Sequence, residues 1–152
     1  NYYVLDLARF KTNKTSDYFD RILQLYTKWN FRKIRAEVTA AQSIIVRDLR
    51  DNYIRTYGLA LSIEDHRPTR DKESRILATL QPKYNNMQVW HYRGGNTDLL
   101  EEELVQRNPS HDDLKDALAA AIEIATPPSF MNLGSRVQTQ EQYYNTRWGG
   151  IG

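Results

Sequence analysis

The sequence predicts an α/β domain. Short runs rich in β-branched and aromatic residues alternate with segments of helical apolar spacing, and the helical segments open on capping residues and close on Gly, Asn or Pro. The chain's 152 residues fit one domain of ordinary size. Strands separated by helices are expected to run parallel, so the first three should form a mostly parallel sheet.

The elements follow in order. Tyr2 to Arg9 reads as a strand, because aromatic and β-branched residues dominate it, and Thr12-Asn13-Lys14-Thr15 as the turn after it. Ser16 or Asp17 caps a helix whose Tyr18, Ile22, Leu25, Tyr26 and Trp29 form one buried stripe ending near Asn30. Lys33 to Val38 is a second strand. Thr39 caps the next helix, with Ile45, Leu49 and Tyr53 on one face and Gly58 as its stop. Leu59 to Ile63 reads as a third strand, and a basic stretch containing Pro68 leads into a helix through Ile76, Leu77 and Leu80 that Pro82 closes. Asn85-Asn86 between Lys83-Tyr84 and Met87 to Tyr92 suggests a hairpin or a lone edge strand. Asp98 with Glu101 and Ser110 with Asp113 have the spacing of capping boxes, the second opening a helix that buries Leu114, Leu118, Ala121, Ile122 and Ala125. Pro127-Pro128 ends the folded part. Residues 1–126 are therefore expected to form the domain, and 127–152 an irregular or disordered tail.

Composition removes whole classes of function. The absence of cysteine excludes disulfide scaffolds, thiolate zinc sites and cysteine nucleophiles together. A mean hydropathy of −0.71 and apolar runs of only a few residues exclude a helical membrane span. No signal peptide or polar leader precedes the first strand, and the chain reads as one cut from something longer. The net charge is only +2, but it is unevenly placed: residues 1–75 hold 15 Lys and Arg against 10 Asp and Glu, and residues 98–123 hold eight carboxylates against Arg107 and Lys115. Such a molecule could hold a polyanion on one flank and a metal ion at the other, although two solvated surfaces of opposite sign would look the same.

The chemistry-bearing residues cluster accordingly. Glu37 stands at the end of a strand otherwise made of Ile34, Ala36 and Val38, where open α/β sheets place their sites. Asp112 and Asp113 flank the apolar stripe of the last helix, so either could face a cleft. Asp116 points to solvent on the same helical wheel and is the poor candidate, and His111 lies near the core side. Magnesium and manganese take oxygen ligands, and a two-metal site needs carboxylates from different elements; Glu37 with Asp112 or Asp113 would supply two corners and Asp6 a third. Arg67, Arg70, Lys72 and Arg75 give the charge density that phosphate contacts need, as would an ordinary solvated loop. Gly94-Gly95 is a turn and not a phosphate-binding loop.

Taken in order, Tyr3-Val4-Leu5-Asp6, Arg35-Ala36-Glu37, Lys72-Glu73-Ser74-Arg75-Ile76, Leu100-Glu101-Glu102-Glu103-Leu104 and His111 to Leu118 resemble the nuclease domain of the tailed-phage and herpesvirus terminase large subunit over about residues 2–125. The resemblance implies an RNase H-like mixed sheet flanked by helices, and an endonuclease that cuts concatemeric double-stranded DNA with two Mg²⁺ or Mn²⁺ ions. It makes Glu37 the acid of the central strand, Asp112 or Asp113 the acid of the last helix, and Lys72 with its neighbours the basic segment near the cleft. It implies as partners a separate ATPase domain, the portal and the small terminase subunit, with no membrane. The implied location is the host cytoplasm, transiently at the procapsid. The first catalytic Asp of the family lies on a strand with no counterpart here, and Asp6 matches a non-catalytic position. The chain is therefore expected to lack two N-terminal strands and one metal ligand. A noncatalytic docking module using Tyr143, Tyr144 and Trp148, and a junction resolvase on the same fold, are the alternatives.

Overall fold

The computed structural model describes residues 1–38, 42–67, 71–106, 109 and 111–127. Their order is β1 (Tyr2–Val4), α1 (Thr15–Trp29), β2 (Lys33–Glu37), α2 (Gln42–Asp48) continuing into a π-helical stretch (Leu49–Ile54), β3 (Ser62–His66), α3 (Lys72–Asn85), β4 (Val89–His91), α4 (Asn96–Val105) and α5 (Asp113–Ile124). The class is α/β, consistent with an RNase H-like α/β fold. Both ladders are parallel: β2 pairs with β3 from Lys33↔Ser62 to Glu37↔His66, and β1 pairs with β4 from Tyr2↔Val89 to Val4↔His91. The expected parallel arrangement thus holds for the second and third strands, while the first takes the fourth as its partner.

Several boundaries move for local reasons. The third strand begins at Ser62 instead of Leu59, because Gly58 turns with φ +62° and the Leu59 N–H donates back to the Ile54 carbonyl, closing the π-helical stretch. Helix α3 runs through Pro82 for one more turn, with the Asn86 N–H donating to the Pro82 carbonyl, so no hairpin forms at Asn85-Asn86. Met87 at φ +52° instead turns the chain into β4. Asp98 accepts from the Gly94 N–H, ahead of the helix it was expected to cap, and Gly95 takes the N-cap position of α4. The capping residues Thr39 and Ser110, together with residues 128–152 of the expected tail, lie outside the described residues.

The main core forms where α3, α4 and α5 meet the β1–β4 ladder. Ile76, Leu80, Val89, Leu100, Leu114, Leu118, Ala119 and Ile122 are buried there, with Tyr2, Val4, Leu7 and Tyr84 packed against them. Each such aliphatic side chain contributes roughly 1.5–3 kcal/mol by leaving water. A second cluster lies toward α1, where Phe19 is buried and stacks on Tyr53 and Tyr57 at ring separations of 4.7 and 4.9 Å. Helix α5 contacts α3, α4 and β2. It is covered on its polar flank as well as its apolar one.

Candidate active site

Side chains two apart on a strand share a face, and residues paired across a parallel ladder lie on the same side. Arg35 and Glu37 of β2 therefore share a face with Glu64 and His66 of β3. Helix α5 meets this face with residues at helical spacing, Asp112, Asp116 and Glu123, while α3 offers Lys72, Arg75 and Thr79. The stripes interlock. Lys72 Nζ lies 3.2 Å from both carboxylate oxygens of Asp112 and 3.0 Å from Oδ2 of Asp116. Arg75 donates to Oδ1 of Asp116 and, at 3.2 Å, to Glu123, which also accepts from Thr79 at 3.1 Å and from Arg35 at 2.5 Å.

Glu37 completes the cluster, sharing a hydrogen bond with the Asp116 carboxylate. Two carboxylates in contact cannot both ionise freely. The shared bond, with burial and the Asp116 charge, pushes the Glu37 carboxyl above its usual range. Burial alone would raise Asp116 too, but hydrogen bonds from Glu37, Lys72 and Arg75 outweigh it and hold Asp116 below the usual range. Burial likewise opposes the charge of Lys72, and its bonds to Asp116 and Asp112 override that and raise it.

The sequence-derived candidates are thus sorted by position. Glu37 sits at the cluster, and Asp112 joins it through Lys72. Asp113 stands apart: its side chain is 70% exposed and faces Arg9 at 3.9 Å. Asp116, the residue set aside on the helical wheel, is only 6% exposed and lies at the centre. A wheel centred on one apolar stripe presumes a helix buried on one side, and α5 is buried on two. Asp6 is held elsewhere, accepting from Lys28 Nζ at 2.8 Å and Trp29 Nε1 at 3.2 Å. Of the basic residues, Lys72 and Arg75 are engaged by carboxylates, Arg67 is exposed, and Arg70 lies outside the described residues. Sequence reasoning also passed over Glu123 and His66. The first is detectable from its i+7 spacing to Asp116; the second follows only from its register with Glu37.

Hard oxygen donors from two elements, Glu37 of β2 with Asp116 and Asp112 of α5, fit a hard divalent cation in chemical type. They are not a ready-made cage, because among the described residues no three acidic or histidine side chains converge closely enough to hold an ion. An open groove of about 380 Å³ between Arg9, Asp17, Arg21 and Asn96 shares no residue with this cluster.

The acidic side chains of this α/β domain gather where the end of a strand meets a helix, the place where open α/β folds hold their sites. Residues 1–89 match the family described as the ribonuclease H-like domain of the bacteriophage T7 terminase. The chain belongs to that family, and so to the proteins of viral DNA packaging. No curated protein and no solved structure matches it. Among the described residues no helix is long and apolar enough to cross a membrane.

Proposed function

We propose that this chain is the DNA-cutting domain of a packaging terminase large subunit, a Mg²⁺- or Mn²⁺-dependent endonuclease acting on concatemeric double-stranded DNA. The observation that carries the reading is the contact between Glu37, at the carboxyl end of β2, and Asp116 of α5. Glu37, Asp116 and Asp112 are the residues that would hold the cations. Arg75 fixes the orientation of Asp116, and Asp113, on the exposed flank, is the weaker ligand candidate. Bound ions would lower the pKa of an attacking water and stabilise the leaving 3′ oxygen. Arg67, with Arg70 three residues on, would meet phosphates, giving weak, salt-sensitive and nearly sequence-independent binding. The ATPase domain, portal and small subunit are the partners that this role requires, at the procapsid in the host cytoplasm.

Plasmid nicking in Mn²⁺ tests the reading, with Glu37→Ala as control and circular dichroism to verify folding. Cutting that disappears in a folded Glu37→Ala chain is expected. Cutting that survives the substitution removes the assignment, as does a failure to cut both by the folded chain and by one extended upstream by two strands.

A further inference from the structure

Two of the three carboxylates offered to a cation, Asp112 and Asp116, already have one. The Lys72 ammonium lies within 3.2 Å of both oxygens of Asp112 and 3.0 Å from Oδ2 of Asp116, while Arg75 takes the remaining oxygen of Asp116. The Asp116 carboxylate is therefore fully engaged by cations of this chain. A divalent ion held by Asp112 and Asp116 would need the oxygen lone pairs that the ammonium now takes. Coulomb repulsion keeps the two cations from sharing them.

The two basic residues differ in what they can do. Arg75 has a planar guanidinium spread over Asp116 and Glu123, so both ends of its fork are fixed. Lys72 is a compact charge on a flexible stem in the first turn of α3, with its side chain one-third exposed, and can swing to solvent without unpacking the helix.

We propose that Lys72 is a built-in counter-ion that competes with divalent cations for Asp112 and Asp116, so that metal binding requires its ammonium to leave. This rests on the nuclease reading, and it places Lys72 among the determinants of metal occupancy instead of the phosphate-binding residues. Arg75 stays on Asp116 throughout and keeps that carboxylate oriented.

The test is calorimetric titration of the 152-residue chain with Mn²⁺ alone, without DNA. Lys72→Met should bind Mn²⁺ about tenfold more tightly than the unsubstituted chain, the removal of one competing charge being worth at least ~1.4 kcal/mol. Lys72→Arg, which keeps the charge, should stay near the unsubstituted affinity. Equal or weaker binding by a folded Lys72→Met chain overturns the proposal. If Lys72→Met does not fold, the native chain gives a second reading: Mg²⁺ should raise the acetylation rate of Lys72 relative to the other lysines, and an unchanged rate overturns the proposal. Mn²⁺ binding that is indifferent to Lys72 defeats this inference while leaving the nuclease reading intact. No Mn²⁺ binding by any form defeats both.

Discussion

The backbone N–H of Leu114 donates to Oε2 of Glu103 at 2.8 Å, and the N–H of Lys115 donates to the same oxygen at 2.9 Å. A buried carboxylate from α4 thus caps the first turn of α5, the helix that carries Asp116. Helix N-termini leave their first N–H groups without intrahelical partners and favour negative charge, and Glu103 meets both needs at once. Glu103→Ala should cost about 2 kcal/mol, the range for buried donors left unpaired, and Glu103→Gln clearly less because an acceptor oxygen remains. Urea unfolding of the two variants checks the ranking; equal losses would show that the retained acceptor oxygen contributes nothing.

The pair formed by Arg75 and Asp116 predicts non-additivity. Both side chains are nearly excluded from water, with exposures of 14% and 8%. Arg75→Met should destabilise by about 3 kcal/mol, because it leaves a buried charge with less compensation. Adding Asp116→Asn to Arg75→Met should recover part of that loss. A double-mutant cycle from denaturant midpoints measures the coupling, and simple additivity would refute it.

Glu37 predicts a gain of stability where function would be lost. Its folded carboxyl titrates above the ordinary value of 4.5, so the folded state binds the proton more readily than the unfolded chain. The associated stability is present below the unfolded value and is lost as pH rises through the folded one. Above the folded value the ionised group strains against Asp116, so the gain in melting temperature from Glu37→Gln should grow as pH rises. Asp116 has the opposite sign: its folded carboxyl titrates below 3.8, so its contribution is present above that value and fades as pH falls further. Thermal melts between pH 3 and 8 on Glu37→Gln and Asp116→Asn separate the two.

The sequence was most readable where period and composition agree. The β2 strand with its terminal Glu37, and Leu114, Leu118 and Ile122 on the apolar face of α5, appear where spacing puts them. Ala121 and Ala125 are exposed, however, with Ala119 buried instead, and the buried residue of α1 is Phe19, outside the expected stripe. Misplaced features share one cause, a tertiary partner that local pattern does not contain. Asp116 looked solvated because the wheel held no trace of Lys72 and Arg75, 44 and 41 residues before it. The acceptor that caps α5, Glu103, belongs to another helix, so no local spacing marks it. Trp29 was counted in the α1 stripe, yet it stays 38% exposed and donates to Asp6. For the site, the strand acid was legible alone, whereas its helix partner needed the packing of α5 against both α3 and β2.

The pairing of Tyr2 with Val89 sets an order on assembly. During synthesis β1 emerges ahead of the other described strands, yet it has no partner among them until β4 has left the ribosome, with α1, α2, α3 and the whole β2–β3 ladder made in between. Closing so long a loop is entropically slow, while β2 and β3 need only the intervening helix to meet. The nascent chain can therefore bring the strand bearing Glu37 into its ladder while the exposed aromatic Tyr3 still waits for Trp90. A translation pause before residue 89 would hold the chain with β1 unzipped, the stage at which a strand edge is open to the wrong neighbour.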